Sequence, residues 1–402
     1  MKFKETKIGT IPTHWEVQPI KEITEIVTDY VANGSFASLA ENVTYKNEED
    51  VAVLIRLVDY NNDFQGKFVF IDEHAYQFLE KSKLFGNEII ISNVGANVGT
   101  VFRCPKLKYK MSLAPNAIMV KFKENDDFYF HWLRGHNGQQ MMKSIVTGSA
   151  QPKFNKTNFK EMLVPVPPIE EQNRIATILN AIDEKISINN KINNNLEQQA
   201  QVIFKSWFVD FEPFNNKQPD IWTTSTLDTV SVMSAGGDKP QNVSQTKTDL
   251  FQYPIYSNGL SDEGLYGFTD KPKITEESVT VSARGTIGFV CLRHTPYVPI
   301  VRLVTLVPKA EIISAKYLYL YLKQLHITGT GTTQQQLTVP DFKKTEILVP
   351  TQKVMLKFTD ILEPIFNKLW ANQVENKKLS SLRDTLLPKL MSGELDVSDI
   401  DL

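Results

Sequence analysis

The sequence predicts an α+β fold: two similar mixed α/β globular domains separated by two long antiparallel coiled-coil helices, related by an internal pseudo-twofold duplication. Three observations predict it. In residues 166–211 apolar side chains fall at Ile175, Leu179, Ile182 and Ile186, then at Leu196, Ala200, Ile203 and Trp207. That 3-4 spacing is a coiled-coil seam. Adding 183 to each position gives Phe358, Leu362, Ile365, Leu369, Leu379, Arg383, Leu386 and Leu390, apolar in all but Arg383. The globular stretch before each helix also repeats the same order of elements. The expected divisions are a first domain over 1–165, a first helix over 166–211, a second domain over 212–349, and a second helix with its tail over 350–402.

The first domain opens with Ile11, Pro12, Thr13, His14 and Trp15, followed by a short helical pattern through Ile20, Ile23 and Val27. Residues 51–60 alternate and are rich in β-branched side chains, which predicts a strand. A second strand over 88–92 runs into a glycine turn, Asn93 to Thr100, with glycines at 95 and 99. Strands follow at 101–104 and 117–122, then a helix over 128–145. A polar loop, 147–155, leads past Phe159 to a final strand at 162–166. Pro167 and Pro168 then stand at a helix start, where proline is tolerated.

The second domain replays this order. Trp222 follows Trp15, and Leu227 and Val230 follow Ile20 and Ile23, at an offset of 222 − 15 = 207. The β-rich part begins at 251–258. Residues 279–288 repeat the glycine turn with Arg284, Gly285, Thr286 and Gly288, and 301–307 repeat the strand 117–122. A helix over 314–324 leads to the loop 330–336, and Phe342 lies 183 beyond Phe159. At this scale each half is a domain, not a solenoid unit.

Composition narrows the function classes. A length of 402 residues suits two to four domains, and 42% apolar with 22% charged residues describes a soluble globular chain. No run of about 18 apolar residues exists, and the N-terminus lacks the apolar core of a secretory signal. The expectation is a cytoplasmic protein without a membrane span. Cys104 and Cys291 lie in different halves and are expected to stay reduced. The net charge is −2. A protein holding nucleic acid by bulk electrostatics should be clearly basic, so any positive face here is local or shared with partner subunits.

Signatures of catalysis are missing. There is no GxxxxGK[ST], GxGxxG, HExxH or GxSxG, and the one Pro-Pro pair opens a helix instead of an adenine-methyltransferase loop. Two cysteines cannot supply a zinc knuckle, and Glu170, Glu171, Asp183 and Glu184 suit the start and polar face of a helix. No catalytic and no metal-binding residues are assigned.

Several segments together resemble the specificity subunit of a type I restriction–modification system. They are Ile11-Pro12 with Trp15, the turn Gly285-Thr286-Ile287-Gly288, and Gly148 with Ala150-Gln151. The junction VPVPPIEEQNRIATILNAID and the closing LLPKLMSGELDV are the most specific. The likeness spans essentially the whole chain, though the second junction, VPTQKVMLKFTDIL, lacks the Glu-Gln pair. The resemblance implies two target recognition domains, each reading one half of a bipartite double-stranded DNA target. It implies helices that dock two modification subunits, which bind S-adenosylmethionine and methylate adenine, with a restriction/motor subunit in the full complex. No cofactor is expected on this chain. Alternatives are a DNA- or RNA-binding adaptor unrelated to restriction, or a scaffold that binds only protein.

A helix of about 36–40 residues spans roughly 54–60 Å, on the order of 16 base pairs. Two such helices would act as a ruler between half-sites, as spacing does in dimeric repressors. At the middle of the seam stand Asn189 and Asn193, repeated as Asn372 and Asn376. Pairing of Asn189 with Asn376 and of Asn193 with Asn372 would fix register; the alternative is a seam that drifts outward into solvent there. Base readout needs Arg, Lys, Asn or Gln on loops that can enter the major groove. The candidates are Arg56, Asn93, Asn97, Arg103, Gln151, Lys153, Arg284, Arg293, Gln334 and Gln335, with a structural role as the alternative for each. Contacts that specify sequence should differ between halves, which favours Arg56, Lys153 and Arg284.

Overall fold

The computed structural model of the protein describes residues 2–329 and 336–398. The chain forms two compact units, one from Met1–Ser187 with Asn376–Leu402, the other from Ile188–Glu375. The division falls inside two long helices, Ile169–Phe208 and Gln352–Met391, each of 40 residues. A unit is therefore a globular domain together with part of both helices. The reason is burial: Ile175, Ala176 and Leu179 enter the core of the first unit with Leu390 and Met391. Ala200, Phe204 and Phe208 enter the core of the second with Phe358, Leu362 and Phe366.

In the first unit a four-stranded antiparallel sheet runs in the order Thr24–Asp29, Ala117–Phe122, Ile89–Ser92, Val101–Arg103. Alternate side chains of a strand point to opposite faces. Ile89, Ile91, Ile118 and Val120 pack toward the helix Asp126–Arg134 and the long helices. Ile90, Phe102 and Met119 face a second core, shared with the strands Ala52–Ile55 and Lys110–Leu113. Both faces are covered, which is why these strands read as unbroken apolar runs.

Local chemistry redraws three expected boundaries. The strand expected over 51–60 ends at Ile55, because the Asp59 carboxylate accepts a 2.9 Å bond from the Arg56 backbone N–H and opens the helix Leu57–Asn61. The helix expected over 128–145 is two, Asp126–Arg134 and His136–Ser144, broken at Gly135. The helical pattern at 20–27 stops at Ile23, and Thr24–Asp29, rich in β-branched residues, pairs as a strand.

The second unit has a sheet of the same order and sense: Ser231–Ala235, Val304–Pro308, Ser278–Val281, Val290–Arg293. Its strand at 304 starts later than the expected 301, since Val301 and Arg302 adopt left-handed φ of 52° and 61° in a turn. The two openings also match. Trp15 N–H donates to the Pro12 carbonyl at 3.1 Å, and Trp222 N–H donates to the Pro219 carbonyl at 3.0 Å. Both tryptophans are buried. In the first unit the indole N–H also donates to Glu171 at 2.8 Å, tying the opening to the first long helix.

The C-terminal tail closes the first unit. Gly393 has φ of 70°, and a Cβ there would collide with Pro12 and press on the Trp15 ring. Only glycine suits that position, by conformation and by space. Gly393→Val should therefore destabilise the protein by at least about 1–3 kcal/mol, seen as a lowered midpoint in urea unfolding followed by tryptophan fluorescence. An unchanged midpoint would contradict this packing.

Candidate nucleic-acid interface

In the first unit the glycine turn and the polar loop are built into one surface. Gly95 and Gly99, with φ of 100° and 91°, let the turn double back, so that Gly99 N–H reaches the Ser92 carbonyl at 2.8 Å. The loop closes through reciprocal Thr147–Lys153 backbone bonds of 2.8 and 2.9 Å. Turn and loop are then joined: Gly95 N–H to the Pro152 carbonyl at 2.9 Å, and Phe154 N–H to the Asn93 carbonyl at 3.1 Å. Buried Phe154 anchors the junction. Asn93, Asn97, Gln151 and Lys153 come together around it. Asn97, Gln151 and Lys153 are exposed, while half-buried Asn93 donates its amide to the Phe154 carbonyl at 3.1 Å.

The second unit repeats this frame. Gly288 N–H donates to the Ser282 carbonyl at 3.0 Å, and Leu337 N–H to the Ala283 carbonyl at 3.0 Å. By these bonds Asn93 corresponds to Ala283, Val94 to Arg284, and Lys153 to Gln336 (336 − 153 = 183). Exposed Arg284 donates from Nε and Nη2 to the side-chain amide oxygen Oε1 of Gln336, at 3.2 and 3.0 Å. Gln334 and Gln335 lie outside the described residues. Gln336 was not singled out by the sequence; the 183-residue offset from Lys153 is the signal that finds it. Asn258 was also missed: it supports the turn by accepting from Ala283 N–H and donating to the Val301 carbonyl, both at 2.7 Å.

Three arginines expected as base contacts are bonded within the fold, the structural alternative named for each. Arg293 is only 4% exposed, donates to Thr280 Oγ1 at 3.0 Å and to Glu263 at 2.7 and 2.9 Å, and stacks on Tyr256. Arg103 pairs with Asp127, donates to the Asn87 carbonyl at 2.9 Å and covers the Phe130 ring; burial lowers its pKa. Arg56 grips Asp59 through Nε and Nη2, at 3.0 and 2.6 Å, and that partner raises its pKa. A strand-end arginine meets a carboxylate as readily as a base, and the sequence does not show which carboxylate is near.

Beside Asn93 and Val94 the first unit has a recess of about 590 Å³, walled by Tyr30, Phe36, Leu39 and Tyr45. Phe36 opens the short helix Phe36–Asn42 and is 81% exposed. The second unit has no helix between its strands Ser231–Ala235 and Tyr253–Tyr256. The two surfaces share a frame and differ in what they present.

Residues 12–198 and 219–379 match the profile of the type I restriction modification DNA specificity domain. The chain belongs to this family. It is a specificity subunit of a type I restriction–modification system with two such domains, one opening at each Pro-x-x-Trp turn. The MjaIX specificity subunit of Methanocaldococcus jannaschii is 26% identical over 438 aligned residues, covering 99% of this chain and 98% of that one. The HindI specificity subunit of Haemophilus influenzae is 26% identical over 371 residues, covering 71% and 80%. The S subunit from M. genitalium has a similar fold, with a TM-score of 0.58 at 17% identity over 94% of this chain and 96% of that one.

In this specificity subunit the helix seam is graded. Ile175, Leu179, Ile182, Phe358 and Leu362 are buried; Ile186, Leu196, Ile365, Leu369 and Leu379 are half-buried. Asn189 and Asn372 are buried, Asn193 and Asn376 half-buried. In the second unit Asn372 donates to Asn193 at 2.9 Å, and Asn189 donates to Glu375 at 2.8 Å. Arg383, the one charged residue on the repeated stripe, donates to Asp183 at 2.8 Å, and Arg134 shares that carboxylate at 3.2 Å.

The same region holds His131, buried between the globular domain and the first long helix. Its Nε2 donates to Asn180 at 2.8 Å, and Asn180 donates to Asp127 at 2.8 Å. Burial lowers its pKa from the usual 6.5; the Asn180 bond and the charges of Asp183 and Asp127 oppose this, and Arg134 adds to it. With the folded value below the unfolded one, its contribution to stability is in place above pH 6.5 and is lost as pH falls through the folded pKa. His131→Gln should flatten the stability–pH curve below pH 6.5 in urea titrations; an unaltered slope would refute it. Arg293→Ala should cost about 1–3 kcal/mol, because it leaves the buried Thr280 hydroxyl and the Tyr256 ring without the guanidinium packed on them. Calorimetry should show that loss as a lower Tm, and an intact Tm would return Arg293 to the list of base contacts.

Proposed function

We propose that this specificity subunit reads a bipartite double-stranded DNA target, with one half-site for each turn–loop surface. It is itself non-catalytic. On this reading it works in the cytoplasm with two modification subunits, which bind S-adenosylmethionine and methylate adenine, and with a restriction/motor subunit that cleaves. The supporting observation is the repeated frame with unlike side chains at matching positions: half-buried Val94 and exposed Lys153 in one unit, exposed Arg284 and half-buried Gln336 in the other. A scaffold that bound one kind of partner twice would repeat its contacts; a reader of two different half-sites must not. The net charge of −2 fits a chain whose phosphate contacts are shared with its partners.

The helices take a second role in this reading. At 1.5 Å per residue each 40-residue helix is about 60 Å long, and that length sets the number of base pairs between half-sites. The buried polar positions in the seam hold the two helices in one register. Adenine-methylation mapping in cells with and without the gene tests the whole. A split motif should vanish on deletion, and an unchanged methylome would overturn the proposal. Inserting one heptad into both helices, about 10 Å, should keep both half-sites and lengthen the spacer by about 3 base pairs. A motif with its spacer unchanged would remove the ruler from the mechanism.

A further inference from the structure

We infer that Arg284, held by Gln336, reads a guanine in one half-site, and that this pair is the chief specificity determinant of the second unit. The inference deepens the proposed DNA-reading role and rests on it. Arginine recognises guanine with two parallel N–H donors aimed at O6 and N7 in the major groove. Such a fork works only if its plane is fixed, because a loose, exposed arginine must surrender its side-chain freedom on binding. Here the Nε edge of Arg284 is already spoken for: Nε and Nη2 both donate to Gln336 Oε1, at 3.2 and 3.0 Å. That leaves the end-on edge, Nη1 and the second Nη2 hydrogen. Among the described residues Nη1 has no partner, and Arg284 is exposed. The buttress fixes the plane and leaves that edge without a bond among the described residues.

The backbone beneath is fixed too. Ala283, one residue before, accepts from Leu337 N–H at 3.0 Å and donates to Asn258 Oδ1 at 2.7 Å, and Leu337 is buried. Arg284 and Gln336 therefore sit on neighbouring strands of main chain held in register. The equivalent positions of the first unit, Val94 and Lys153, face each other across a β-bridge, where no such fork can form. Valine presents only methyl groups and lysine a single point charge. The first unit accordingly does not read guanine by this device, and the asymmetry predicts which half-site carries the change.

The test is adenine-methylation mapping in cells whose gene carries Arg284→Ala, Arg284→Lys or Gln336→Ala, alongside wild type. In Arg284→Ala one guanine of one half-site should become degenerate, losing about 5- to 150-fold discrimination, while the other half-site and the spacer stay as in wild type. Arg284→Lys should relax the same position, since a lysine cannot supply the fork, and Gln336→Ala should relax it less. A companion measurement uses the assembled complex and duplexes with 7-deazaguanine at that position. Wild type should bind them more weakly than guanine duplexes, and Arg284→Ala should bind both alike. A motif unchanged at every position in Arg284→Ala overturns the assignment. So does loss of all methylation in both Arg284 variants, which would mark a scaffold residue. Absence of any split motif in wild type would instead sink the underlying DNA-reading proposal.

Discussion

An apolar stripe along a 40-residue helix has to be covered along its length, and the rest of this chain is arranged to cover it. A lone helix gains little from propensity in water; its stability comes from packing of its apolar face. The start of the first long helix is buried by the first globular domain together with the end of the second helix. Its own end is buried by the second domain together with the start of the second helix. Phe204, Phe208, Tyr317 and Phe358 pack ring against ring where the second domain meets both helices. Each core is thus built from segments far apart in sequence, which is why the compact units divide within the helices and not at their ends.

That constraint also orders the polar groups. A buried polar atom costs stability unless it is bonded, so the polar residues at the helix surfaces come in pairs. Asp127 with Asn180 in the first unit and Lys316 with Glu363 in the second occupy matching positions, a neutral amide answering a carboxylate in one and an ion pair in the other. Arg383 departs from the apolar stripe because Asp183 and Arg134 are there to meet it. Such pairs contribute modestly to stability but penalise a slipped register, since a slip would leave buried Lys316 without its carboxylate.

The long helices, the duplicated sheet strands and the glycine turns were legible in the sequence, because each leaves a periodic or positional mark that survives duplication. What was not legible depends on partners distant in the chain. Arg293 and Glu263 are 30 residues apart, and Arg103 and Asp127 are 24 apart, with nothing between to signal the pairing. The seven-residue helix Phe36–Asn42 is too short to show a period. The strand that ended at Ile55 was lost to one side-chain cap at Asp59, a local bond that a hydrophobic pattern does not register. Of the candidate reading residues, those carried by the glycine turn and loop, Asn97, Gln151, Lys153 and Arg284, lie exposed, whereas the strand-end arginines are bonded within the fold.

The frame of each reading surface is held by main-chain atoms. Phe154 N–H to the Asn93 carbonyl in one unit, and Leu337 N–H to the Ala283 carbonyl in the other, form whatever side chains stand beside them. Buried Phe154 and Leu337 supply the anchoring, and the glycines supply the turn. The side chains next to these bonds, 94 with 153 and 284 with 336, lie outside the buried cores. A substitution there changes what the surface presents without touching what supports it. Separating scaffold from readout in this way is what allows two copies of one fold in a single chain to present unlike chemistry, and it confines the specificity of each unit to a handful of side chains.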